Sequence, residues 1–178
     1  MKTLIIYSSK TGNTRSIAET IHEALPNSDI FPVENAPAPE TLPGEYCLVC
    51  VGYWVDKGMP DAKAKAYLET LRGVRAALFG TLGAWPDSDH AKECIRKSED
   101  LLKEPERGNT VMGSFICQGR VDPRVVEMMG KMAADVHPMT AERKARLEEA
   151  AKHPDDTDRA RAKETFLAFA ARAEEMTA

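Results

Sequence analysis

"TLIIYSSKTGNTRSIAETI", residues 3–21, sets an apolar run against a stretch of hydroxyls with one glycine, and then against an amphipathic segment. Thr3 to Tyr7 reads as a strand buried on both faces, and Arg15 to Leu25 as a helix. A helix that starts just past a buried strand presents free backbone N–H groups and attracts an anion. Ser8, Ser9, Lys10, Thr11, Gly12, Asn13 and Thr14 supply amides, hydroxyls, one cation and a glycine at which the backbone can be approached or take a positive φ. Other phosphate-handling patterns do not fit. GxxxxGK[ST] places its lysine after the second glycine, whereas Lys10 precedes the only one, and GxGxxG needs three glycines. No cysteine nucleophile stands in the loop, and no paired acids end the strand. What suits these residues is a phosphate monoester that is held, not transferred.

The rest of the composition bounds the class. With 178 residues, 43% of them hydrophobic and 29% charged, the chain reads as one globular unit with a real core. A net charge of −4 without a basic stripe speaks against nucleic acid. The apolar N-terminal run is too short for a signal peptide, and no stretch reaches transmembrane length. A cytoplasmic protein with reduced cysteines is therefore expected, and no membrane partner. Cys47 and Cys50 form a CxxC inside the strand-like run Tyr46 to Val51. Strand alternation would send them to opposite faces as two small core residues. His22, His137 and His153 show no metal spacing with the cysteines, so no metal is expected.

Further apolar runs follow at Tyr46 to Gly52, Arg75 to Gly80 and Thr110 to Cys117, with a weaker one at Ser28 to Val33. Asp61 to Leu71 and Ser88 to Leu102 read as helices between them. This alternation predicts an α/β fold, a doubly wound parallel sheet of five strands with helices on both faces. The proline-rich "ENAPAPETLPGEY" opposes a full helix between the second and third strands and predicts an extended connection with one short turn. Beyond Cys117, Pro123 to Val136, Thr140 to Lys152 and Thr157 to Met176 read as helices, the first capped by Asp122. Only that first helix is needed to finish the sheet. The predicted division is a sheet domain over 1–136 and a helical extension over 137–178 packed on or beside it.

The segment Ser9-Lys10-Thr11-Gly12-Asn13-Thr14 resembles the phosphate loop of the flavodoxin family, S/T-x-T-G-x-T, at every specified position. The resemblance implies strand order 2-1-3-4-5, FMN as cofactor, and a flavin ring at the carboxyl ends of the strands. It directs attention to two loops, "GYWVDKGMPDAKA" and "GTLGAWPDSDHAKE", which hold both tryptophans of the chain. Trp54 is the first candidate to stack on the ring and Trp85 the second, with Tyr53 able to replace either. Gly52, Thr81, Leu82, Gly83 and neighbouring Ala84 would offer backbone groups to the ring edge. Short-chain carriers often place a glycine directly after the third-loop tryptophan, where a peptide flip stabilises the one-electron-reduced ring; Val55 stands there, and Gly58 follows three residues on. His90, at the start of a helix beside the expected ring edge, could pass a proton. Cys117, Gln118 and Arg120 would approach the same rim.

The resemblance implies a redox protein that passes electrons to a partner reductase, and a fainter similarity is to the flavodoxin-like helper of a tetrapyrrole or bilirubin reductase. The alternatives are an FMN-dependent, NAD(P)H-linked reductase of a small molecule such as a quinone, and an interaction domain with little flavin bound.

Overall fold

The computed structural model describes residues 2–132 and 139–177. Its elements in order are β1 (Lys2–Tyr7), α1 (Asn13–Ala24), β2 (Ser28–Pro32), β3 (Tyr46–Asp56), β4 (Met59–Pro60), α2 (Ala62–Thr70), β5 (Arg75–Leu82), α3 (Asp89–Asp100), β6 (Thr110–Gln118), α4 (Pro123–Met132), α5 (Ala141–Ala150) and α6 (Asp156–Glu175). The sheet runs β2-β1-β3-β5-β6 with every pair parallel, and the short β4 folds back antiparallel on β3. With β4 set aside this is the doubly wound order 2-1-3-4-5 expected from the sequence. The proline-rich connection holds two short 3-10 turns, Val33–Asn35 and Pro39–Thr41.

Strand alternation divides the core. Leu4, Ile6, Val49, Val51 and Leu78 face α2, while Ile5, Leu48, Cys50, Ala77 and Phe79 face α1 and α6. Helix α3 packs on the α2 side near the far edge, where Ala91 meets Leu82 and Ile116. Parallel strands covered on both faces have no polar side, which is why their sequences read as continuous apolar runs.

Three features differ from the sequence reading. First, Cys47 and Cys50 lie in the same core cluster. The β1–β3 register skips a residue, from Lys2↔Tyr46 to Thr3↔Leu48, so a bulge at Cys47 turns its side chain to the α1 face. Neither thiol is in a disulfide, and burial pushes that of Cys50 up. Second, β3 does not end at Gly52; Tyr53 and Trp54 still pair with Gly80 and Thr81 of β5, and the antiparallel return through β4 supplies partners for Val55 and Asp56. Third, the helix that covers the α1 face is α6, not the helix following β6. Its buried stripe is Ala162, Phe166, Ala170 and Ala173. Alanines make a faint apolar signal in sequence, yet they let a helix lie close to a sheet. The expected division between residues 136 and 137, and the end of the first tail helix at Val136, lie outside the described residues.

Phe166 is the anchor of that face. Its ring meets Phe79 edge-on at 5.7 Å and Phe169 at 5.4 Å. The start of α6 is held by a cluster at the α5–α6 corner. Asp155 caps the helix in a reciprocal arrangement with Asp158, and the His153 imidazole hydrogen-bonds Asp158. Glu149 lies 3.5 Å and Asp155 4.0 Å from the same ring. The hydrogen bond to Asp158 raises the His153 pKa above its ordinary value, against the lowering effect of burial.

Two outcomes are expected. Phe166→Ala should cost about 3–5 kcal/mol of unfolding free energy in urea titrations, because the cavity opens between two rings that cannot both collapse into it. Because folding raises the His153 pKa, the corner's contribution is full below the unfolded value of about 6.5 and is lost as pH rises through the folded value. The urea midpoint should therefore fall as pH rises from about 6.5, and fall less in His153→Ala.

Candidate cofactor site

The carboxyl ends of β1, β3, β5 and β6 share one edge of the sheet, and the loops that leave them meet there. The loop after β1 is ordered by its own hydroxyls. Ser8 turns inward: its N–H donates to Gly52 O at 2.9 Å and its hydroxyl to Asp61 Oδ1 at 2.7 Å. Ser9 Oγ accepts the N–H of Gly12 at 3.2 Å and of Arg15 at 3.3 Å, capping the first turn of α1 from within the loop. Gly12 stands at the head of α1 with φ 90° and ψ −11°. Nothing lies within 4 Å of where its Cβ would be, so the glycine serves the left-handed conformation and leaves the backbone open to approach.

Asn13 Nδ2 donates to Thr11 Oγ1 and to Arg120 O, both at 2.9 Å, and Thr11 Oγ1 lies 3.4 Å from the same carbonyl. Thr14 is buried and shares a 2.9 Å hydrogen bond with Thr81 Oγ1 on β5. The Lys10 ammonium sits 5.2 Å from the centre of the Trp54 ring and 3.9 Å from the Asp122 carboxylate. Asp122 caps α4 through the Arg124 N–H and also accepts the Arg124 guanidinium, whose hydrogen bonds hold its carboxyl below the usual range.

The aromatic rim is built by the extension of β3. Trp54, half-buried, pairs in register with Thr81, which places it directly over the Thr14–Thr81 contact. Lys57 (φ 49°) and Gly58 (φ 80°) turn the chain into β4, where Val55 pairs with Pro60 and Asp56 with Met59. Two left-handed residues are what a tight hairpin requires. Gly52 and Tyr53 lie within the sheet. Tyr53 is fully buried against Gly80, and burial pushes its phenol up to about 12, so its ring does not face the rim.

At the end of β5, Thr81 and Leu82 are buried, Gly83 and Ala84 are partly exposed, and Trp85 is 42% exposed. Val121 fits against Gly83, where a Cβ would come within 2.3 Å of it. Ser88 caps α3, and His90 follows, exposed, with Nε2 3.6 Å from Cys94 Sγ. The imidazole reaches toward Gly58 of the hairpin turn. Cys117 is buried, with its thiol pushed up by burial; Gln118 is buried with its Nε2 unpartnered; Arg120 is exposed.

The structure thus gathers Ser9, Lys10, Thr11, Gly12, Asn13, Trp54 and Thr81 on one rim, with Gly83, Ala84 and Trp85 beside them. It turns Ser8 and Tyr53 into the interior and directs the Thr14 hydroxyl to Thr81. An open helix N-terminus, a left-handed glycine, two hydroxyls and a single cation fit a phosphate monoester. Asp61, Val121 and the Asp122–Lys10 pair complete the arrangement and were not assigned to the site from sequence. Asp61 carried a signal as the cap before "AKAK", but its bond to Ser8, 53 positions away, had none.

Comparison with known proteins agrees with this geometry. The family model for a flavodoxin domain matches residues 4–167. The flavodoxin-like domain-containing protein BilS of Clostridioides difficile (strain CD3) is 38% identical over 122 residues, covering 68% of each chain. The protein of the same name from Clostridium symbiosum (strain WAL-14163) is 30% identical over 179 positions, 90% of this chain and 91% of that one. Among solved structures, oxidised Flavodoxin 2 from Bacillus cereus superposes with a TM-score of 0.61 at 21% identity, over 97% of this chain and 99% of its own. No helix among the described residues is long and apolar enough to cross a membrane.

Gly12→Ala should destabilise the protein by about 1–2 kcal/mol, because a Cβ is unfavourable at this φ even where space is open. Gly12→Asn, with a residue that tolerates the left-handed region, should cost less. Denaturant midpoints of the flavin-free proteins check both.

Proposed function

Because this chain belongs to the flavodoxin family, we propose that it holds FMN on the loop of residues 9–14 and hands electrons from that cofactor to a partner reductase. The observation that carries the reading is the hydroxyl loop at the head of α1, with Gly12 left-handed and the Lys10 ammonium 5.2 Å from the centre of the Trp54 ring. FMN, when bound, supplies the electron-transfer chemistry. The chain's own residues then do three things. The amides of Thr11, Gly12 and Asn13, with the hydroxyls of Ser9 and Thr11, bind the phosphate. Trp54 and Trp85 wall the ring. The backbone of Leu82, Gly83 and Ala84 shields and hydrogen-bonds its edge.

The resemblance to the flavodoxin-like helper of a tetrapyrrole or bilirubin reductase supports a reductase of that class as the partner. The exposed Trp85 supports a docking role, since an aromatic ring left in solvent at a redox rim suits a partner that covers it. The four buried cysteines form no disulfide, which supports a reducing compartment, and we place the protein in the cytoplasm.

The test is a titration of flavin-free protein with FMN, followed by flavin fluorescence and the visible spectrum together. Saturable quenching is expected, and Thr11→Ala should weaken binding by about tenfold or more. No binding at micromolar flavin would overturn the proposal. Steady oxidation of NAD(P)H with a quinone and no added protein would replace the carrier by a stand-alone reductase.

A further inference from the structure

Ser8 and Asp61 share a buried hydrogen bond in the gap between the phosphate loop and the tryptophan hairpin. They are 6% and 3% exposed. From the Ser8 N–H the chain of contacts passes to Gly52 O, along β3 to Trp54, from Trp54 O to the Asp61 N–H at 3.1 Å, and from Asp61 Oδ1 back to the Ser8 hydroxyl at 2.7 Å. Three hydrogen bonds thus close a ring that contains one residue of the phosphate loop and the residue that bears the indole. We infer that Ser8 and Asp61 are a positioning pair, which fixes Trp54 relative to residues 9–14, and that neither touches the cofactor.

The distribution of donors on Asp61 supports this role. Oδ1 receives the Ser8 hydroxyl and the N–H groups of Lys63 and Ala64, at 3.2 and 3.4 Å. Oδ2 is buried with no partner. A helix cap alone is served as well by an exposed serine or threonine, which leaves no buried orphan oxygen. Here the side chain is held inside because a second task, the bond to Ser8, lies inside. Trp54 is the last residue of β3 in register with β5, at Thr81, and past it β3 pairs with the two-residue β4. The bond from the Asp61 N–H to Trp54 O, held in turn by Ser8, therefore fixes the point at which the hairpin leaves the sheet. Ser8 lies one position before the hydroxyl loop proper, and its inward hydroxyl is the reason that it cannot also meet a phosphate.

The inference rests on the FMN reading for its consequence, but not for its structural content, and two measurements separate them. The first is amide hydrogen exchange of residues 54–60 in flavin-free protein. It should be about tenfold faster in Ser8→Ala, as loss of one buried charge-assisted hydrogen bond implies, and unchanged in Thr11→Ala. Asp61→Asn keeps the Oδ1 acceptor and should stay near the wild-type rate. The second is affinity for FMN and for riboflavin, which lacks the phosphate. Ser8→Ala should weaken both by the same factor, about tenfold, while Thr11→Ala should weaken FMN alone. A Ser8→Ala variant that loses FMN but keeps riboflavin would make Ser8 a phosphate ligand and overturn the inference, as would unchanged exchange. Should the wild type bind neither flavin, the functional proposal fails, and the exchange rates still decide the pair.

Discussion

Parallel strands impose one constraint from which the rest of this molecule follows. Because all five long strands run the same way, every loop that leaves a carboxyl end emerges on one edge, and every helix that follows begins there. The positive ends of several helices are thereby gathered in one place, and an anion is a natural partner for such an edge. The entry of α1 shows how closely the parts must fit. Thr14 and Thr81 come from elements far apart in sequence, and each hydroxyl would be unsatisfied in the interior alone. Bonded to one another they let the helix start directly against the sheet. That contact sets the height at which Gly12 and Lys10 stand above the rim.

The second consequence concerns the far end of the chain. After β6 the chain makes a detour through α4 and α5 before α6 returns to the α1 face. Arg120 fastens this detour to the site through both of its backbone polar groups. The Arg120 N–H donates to His153 O at the α5–α6 corner, while the Arg120 carbonyl accepts from Asn13 of the phosphate loop. The loop of residues 119–122 is therefore braced from both sides, and Val121 and Asp122 are carried with it to Gly83 and Lys10. The tail helices reach the rim through this brace and through Arg124 of α4, whose guanidinium holds the Asp122 carboxylate that pairs with Lys10.

What could be read from the sequence was what depends on near neighbours. The phosphate loop is six residues long, its hydroxyls and glycine stand at fixed offsets, and its strand and helix are adjacent, so the pattern was complete on the page. The parallel order was legible for the same reason, from alternation of runs. The misreadings all involve distant partners. Trp54 was assigned to a loop because β3 was ended at Gly52; pairing with Thr81 of β5 makes it strand, and the return of β4 carries the strand on to Asp56. The faces of Cys47 and Cys50 were inverted by a bulge whose cause lies in pairing with Lys2 and Thr3. Helix α6 was read as an addition because the first helix after the last strand sufficed to finish the sheet; its stripe, three alanines and Phe166, lets it lie close to the α1 face instead. Ser8 was counted with its hydroxyl neighbours, although the carboxylate it serves is at Asp61.

The balance of charge at the rim separates holding a phosphate from transferring one. Sites that transfer phosphoryl groups place cations to meet charge that moves during reaction. Here the one lysine of the loop is shared between an indole face and Asp122, and Asp122 is itself engaged by Arg124. The remaining donors are neutral: backbone amides at a helix head and the hydroxyls of Ser9 and Thr11. Neutral, preorganised donors bind an anion without concentrating positive charge on it, and a rim so built leaves the phosphate as an anchor while the chemistry takes place at the aromatic end.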